Sequence, residues 1–217
     1  WELKIPGSMR PSGSPVSIRP INFDGKDHHP SILVGIEGWR SFVYTPEGKE
    51  RLMVISDLAA TRVAAGDLDG DGFDEIYFGT EYYYHMIFDR TGKRLQKIVS
   101  SPHDLAVETG RCGDGKERAF ATRADGFLYA DGVSGELWNA NTAGPAAGLV
   151  LADGRVYCAG LGGFVVAVSD TDGIPVSASR AAAPASPTSA AGTTSRSSPV
   201  STSSVSIATT SPSTPSS

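Results

Sequence analysis

Much that would announce a function is missing from this chain. Cysteine occurs twice, at Cys112 and Cys158, too few and too scattered for a disulfide framework. Cys158 sits on an apolar stretch and is expected to be a buried free thiol. No apolar run approaches the ~20 residues of a membrane-spanning helix. No amphipathic stretch of helical period has useful length, which removes helical bundles and also parallel βαβ units, whose strands need crossover helices. Positive charge is in deficit. The 19 Lys and Arg against 24 Asp and Glu give −5, and residues 177–217 carry Arg180 and Arg196 but no acid, which leaves the preceding part at −7. Nucleic acid and anionic membrane are therefore not expected partners. G-x-S-x-G, H-E-x-x-H and P-loop patterns are all lacking, so catalysis has little support.

What is present is a concentrated acidic loop. Residues 67–75 read DLDGDGFDE and run directly into Ile76-Tyr77-Phe78. Asp67, Asp69 and Asp71 take positions 1, 3 and 5 of a tight turn, and Gly72 takes position 6, where the backbone bends sharply. Phe73 at position 7 can offer its carbonyl, and Glu75 at position 9 can close the shell directly or through a water. Carboxylates this crowded repel one another unless a cation lies between them. Oxygen-only ligands suit a hard ion, and Ca²⁺ tolerates irregular coordination better than Mg²⁺. A helical EF-hand does not fit, because position 12 is Phe78 rather than Glu and both flanks read as strands. An ion-free acidic hairpin turn is the plainer alternative.

The flanking pattern repeats. Ile32-Leu33-Val34-Gly35-Ile36-Glu37 aligns with Ile76-Tyr77-Phe78-Gly79-Thr80-Glu81 at a shift of 44, which also brings Gly48 onto Gly92. A third unit carries Asp114-Gly115 and Gly126-Phe127-Leu128-Tyr129-Ala130, and a fourth Gly163-Phe164-Val165-Val166-Ala167. Spacings near 40–45 with several short strands each are those of propeller blades. The sequence predicts an all-β chain: a partial β-propeller of about four blades, each of four antiparallel strands, followed by a disordered tail. The expected limits are an irregular lead-in over 1–14, a propeller segment over 15–176 with blades near 15–57, 61–100, 104–142 and 146–176, and the tail over 177–217.

Residues 63–76, VAAGDLDGDGFDEI, resemble the FG-GAP repeat (also called the VCBS or integrin-alpha-like repeat), whose calcium loops lie in propeller blades. The resemblance implies Asp67, Asp69, Asp71, the Phe73 carbonyl and Glu75 as ligands of Ca²⁺. GFLYADGVSGELW and GFVVAVSDTDG in the later units resemble the quinoprotein-like propeller repeat. Asn22 to Asp27 and Cys112 to Lys116 look like eroded copies of the loop, so one strong metal site is expected.

Calcium usage points to an extracellular, periplasmic or cell-surface setting, since extracellular modules bind Ca²⁺ at roughly 10⁻⁴ to 10⁻³ M. The segment 177–217 is dominated by Ser, Ala, Thr and Pro without aromatics, which cannot bury enough apolar surface to offset ordering entropy. A glycan-bearing stalk and a shifted reading frame both account for that composition. The chain begins at Trp1, and together with the low blade number this predicts a longer native protein, whose missing blades are expected partners.

Of four histidines, His28, His29 and His103 read as solvated, and His85 as a packed residue on one face of a strand. A sharper pattern is aromatic. Trp39 and Tyr82-Tyr83 fall on matched hairpins just after Glu37 and Glu81, a candidate surface for a sugar ring, although inter-blade packing is the commoner role of aromatics at strand ends. The expected role is a non-catalytic binding or structural module, with carbohydrate or another protein as partner. The alternative is a fragment of a propeller-based enzyme, resembling rhamnogalacturonan lyases or quinoprotein dehydrogenases.

Overall fold

A computed structural model describes residues 15–25, 30–36, 40–56, 60–80, 84–99 and 103–180. It is all-β, with four sheets of four antiparallel strands. Blade 1 holds β1 (Pro15–Ile21), β2 (Ser31–Ile36), β3 (Arg40–Tyr44) and β4 (Glu50–Ile55). Blade 2 holds β5 (Ala60–Gly66), β6 (Glu75–Thr80), β7 (Tyr84–Phe88) and β8 (Arg94–Val99). Blade 3 holds β9 (Asp104–Arg111), β10 (Glu117–Arg123), β11 (Phe127–Gly132) and β12 (Gly135–Asn141). Blade 4 holds β13 (Ala146–Ala152), β14 (Arg155–Gly160), β15 (Phe164–Ser169) and β16 (Pro175–Arg180).

Each sheet is a meander in sequence order. The first strands stack in turn, β1 on β5, β5 on β9 and β9 on β13. This is the arrangement of a propeller whose ring is partial. Between blades 1 and 2, Leu33, Val43 and Val54 meet Val63, Ile76, Phe78 and Met86. Phe78 and Phe88 stand edge to face there, 5.2 Å between centroids, a geometry that favours aromatic pairs. The opposite face of blade 2 offers Ala64, Tyr77 and Ile87 to Val107, Ala119 and Ala121 of blade 3. Blade 3 in turn packs Phe120 and Leu128 against Val156, Cys158 and Val166 of blade 4.

Covering on both faces explains why β6 reads as an uninterrupted apolar run: all six of its residues are buried. The recurring glycine of that run has a steric reason. A Cβ on Gly79 would lie 2.5 Å from Val107 Cγ1, and one on Gly35 would lie 3.1 Å from Val63 Cγ2. In both blades the second strand runs close against the next blade's first strand, and at Gly35 a Cβ would also lie 2.5 Å from Ser17 Oγ of its own blade.

Two sequence expectations need revision or confinement. Residues 177–180 were placed in the tail but belong to β16, which pairs with β15 through Ser177↔Ala167 and Ser179↔Val165. An edge strand needs only its main-chain ladder and little apolar burial, so a Ser/Ala composition suffices. Expectations for 1–14 and 181–217 fall outside the described residues. Both cysteines are free and buried. Burial pushes the Cys158 thiol up to about 12. Among the described residues no helix is long and apolar enough to cross a membrane.

Candidate functional site

The acidic loop joins β5 to β6 on the rim of blade 2. Carboxylate oxygens of Asp67, Asp69 and Asp71 lie within 4.8 Å of one another. The loop is wound around its own side chains. Asp67 accepts the N–H of Gly70 at 2.8 Å and of Gly72 at 3.2 Å, Asp69 that of Asp71 at 3.0 Å, and Asp71 that of Phe73 at 2.9 Å. Gly70 and Gly72 sit at φ 82° and 93°, in the left-handed region that costs other residues strain. The Arg90 guanidinium lies 3.8 Å from the Phe73 ring centroid, which fixes the residue at position 7 from the β7–β8 side.

Glu75 turns inward. It is 3% exposed, and its Oε2 accepts the N–H groups of Leu68 at 2.8 Å and Asp69 at 3.3 Å. Burial pushes its carboxyl up to about 7; the Leu68 bond opposes that, and the negative charges of Asp69 and Asp71 add to it. A cation held beside the loop would relieve this crowding, and a donor set of hard oxygens is of the kind that fits Ca²⁺.

The loop is also tied to both neighbours. The Asp67 N–H donates to Glu117 of blade 3 at 3.0 Å. Asp74 bonds Asn22 of blade 1 through its N–H at 2.9 Å and its carboxylate at 2.7 Å. A cleft of about 720 Å³ opens beside the loop. Its lining includes acids of the loop (Asp67, Asp69, Asp71) together with Arg111, Lys116, Glu117 and Arg118 of blade 3. Arg118 is held by Asp114 at 2.6 and 2.9 Å, and Arg111 by Glu117 at 3.3 Å.

The aromatic candidates Trp39, Tyr82 and Tyr83, with Glu37 and Glu81, lie outside the described residues, as do His28 and His29. His103 is exposed. His85 is fully buried and packs on one face of β7 as expected, but its surroundings are polar. Its Nε2 lies 2.7 Å from Asp104 Oδ1 and its Nδ1 2.6 Å from Asp131 Oδ2. Tyr77 donates to the same Asp131 oxygen at 2.6 Å, and Arg123 stands 3.5 Å from Asp104. This cluster escaped the sequence reading. The one signal was an acid, Asp131, within the apolar strand FLYADG.

A model of the FG-GAP repeat matches residues 59–93, the stretch that holds the acidic loop and β6. No curated protein matches the sequence. Among solved structures, BBS1N in complex with ARL6DN is similar at a TM-score of 0.60 and 16% identity in a crystal soaked with lead, over 77% of this chain and 55% of that one. The computationally designed Ika8 protein gives 0.56 and 12%, over 70% and 46%. A chain of the Mitotic Checkpoint Complex gives 0.58 and 9%, over 70% and 48%. The chain thus spans about half the length of the solved structures it resembles. At such identities the likeness shows fold alone. The chain is a β-propeller repeat module carrying an FG-GAP repeat at residues 59–93.

Proposed function

We propose that the chain is a non-catalytic, calcium-stabilised binding scaffold from an exported protein. One observation carries the reading: three carboxylates converge within 4.8 Å in a loop of the FG-GAP repeat. Asp67, Asp69, Asp71 and the Phe73 carbonyl would hold Ca²⁺, with Glu75 closing the shell directly or through a water. The ion's role is structural. Because Asp67 and Asp74 bond blades 3 and 1, fixing the loop also fixes two junctions, and binding to the native state alone stabilises it by mass action. At a few-fold saturation that amounts to ~1 kcal/mol.

The partner is another protein. The similar structures include BBS1N in complex with ARL6DN and the Mitotic Checkpoint Complex, propellers captured in protein assemblies. The cleft beside the loop, lined by both acidic and basic side chains, offers such a partner polar contacts of either sign. The carbohydrate reading rests on Trp39, Tyr82 and Tyr83 and is tested separately, on a glycan array with Trp39→Ala and Tyr83→Ala; unchanged binding in both variants assigns those rings to packing.

Thermal melting with Ca²⁺ and with chelator, for wild type and Asp69→Ala, tests the metal. The wild type should melt higher with Ca²⁺ and the variant should not respond. Equal melting temperatures in all four samples exclude the calcium role.

A further inference from the structure

Blades 2 and 3 meet at a second polar centre, built from other side chains than the loop's candidate ligands. His85 on β7 reaches across the junction and is gripped on both ring nitrogens by carboxylates of blade 3, Asp104 on β9 and Asp131 on β11. His85 and Asp131 are 0% exposed, and Asp104 and Arg123 are 2% exposed. Tyr77 on β6 donates its hydroxyl to Asp131. Arg123 on β10 lies 3.5 Å from Asp104 and 3.3 Å from the Tyr129 ring centroid on β11, and its guanidinium faces the imidazole, 3.1 Å from Nε2 and 3.3 Å from Nδ1. Arg62 on β5 donates to the Asp104 main-chain carbonyl at 2.8 Å, and the Thr80 N–H donates to Asp104 Oδ2 at 2.9 Å.

Two counts decide the protonation state. An imidazole nitrogen donates only when it carries hydrogen; the carboxylates, at 2.7 and 2.6 Å, stand nearer Nε2 and Nδ1 than Arg123 does at 3.1 and 3.3 Å, so serving both requires both protons. The charges give the same answer. Among the fully buried groups Asp104 and Asp131 contribute two negatives and Arg123 one positive, so the imidazolium brings that set to neutrality; Arg62 is only half-buried and bonds the Asp104 main chain, not a carboxylate. Loss of the imidazolium would leave a net negative charge buried, which is costly. Asp131 is the more exposed to that loss, since its Oδ1 has no partner.

We propose that the junction between blades 2 and 3 is a proton-dependent latch, closed while His85 is doubly protonated and slackened when one ring proton leaves. Asp131 would then keep Tyr77 as its donor, or Asp104 would keep Thr80 and Arg123. Burial opposes the charged ring, but the charge and hydrogen bond of Asp104, and then those of Asp131, outweigh it and raise His85 to about 9. The folded-state value is thus above the unfolded one, near 6.5. The latch therefore contributes fully below about pH 6.5 and is lost as pH rises through about 9.

Two readouts on the full chain test this. Histidine ring NMR of the wild type should place the His85 midpoint near 9, well above the ordinary imidazole value. Urea unfolding should show the wild-type unfolding constant rising at least about ten-fold from pH 7 to 9.5, and His85→Gln should be less stable at pH 7 with that pH response removed. If His85→Gln does not fold, the wild-type ring titration decides alone. A His85 midpoint below 7, or an undiminished response in a folded His85→Gln, overturns the latch.

Discussion

Asn22 and Asp74 hold each other twice. The Asp74 N–H donates to the Asn22 carbonyl at 2.9 Å while its carboxylate accepts the Asn22 N–H at 2.7 Å. One residue follows β1 of blade 1 and the other precedes β6 of blade 2, so the exit of the acidic loop is fastened to the neighbouring blade by a closed pair of bonds. Asp74→Ala removes the carboxylate half and should cost about 1–2 kcal/mol in urea denaturation. Asp74→Asn keeps an acceptor and should recover most of the loss.

Steric fit at the next junction gives a second expectation. A methyl on Gly79 would meet Val107 Cγ1 at 2.5 Å and Asp104 Oδ2 at 2.9 Å, atoms of a packed neighbour rather than of a free side chain. Gly79→Ala should destabilise by about 1–3 kcal/mol through overpacking, read as a lowered urea midpoint. An alanine at Gly25, whose Cβ meets nothing within 4 Å, provides a control for the backbone effect, since its φ of 89° still disfavours a side chain.

The same glycines show why much of this fold could be read from the chain. Gly35 and Gly79 recur 44 residues apart because blades 1 and 2 repeat one close approach, and repetition makes a local steric need visible as a period. The strands around them carry apolar runs because they are covered on both faces. The acidic loop was equally legible, since all its candidate ligands lie within nine consecutive residues. The latch was not. His85, Asp104 and Asp131 come from three strands of two blades, and nothing local to any one of them announces the others. The edge strand β16 is hard to read for a different reason: beside its ladder only the small Ala178 packs on the core, which leaves little hydrophobic mark.

Thiol accessibility offers a third check. Cys112 is 5% exposed and Cys158 1%, and burial raises the thiol pKa of both. Reaction rates follow the thiolate fraction and access. The native protein should give no reaction with Ellman's reagent on the mixing timescale, and both thiols should react once the chain is unfolded in urea. Rapid labelling of Cys158 in the native state would contradict its place between blades 3 and 4.

The central claim is that the loop of blade 2 holds a divalent cation. Calorimetric titration of the intact chain with Ca²⁺ tests it most directly. One ion per chain should bind at roughly 10⁻⁴ to 10⁻³ M, with the signal abolished in Asp69→Ala while the far-UV spectrum stays that of a β protein. No heat above dilution at millimolar Ca²⁺, or equal binding by wild type and Asp69→Ala, would contradict it.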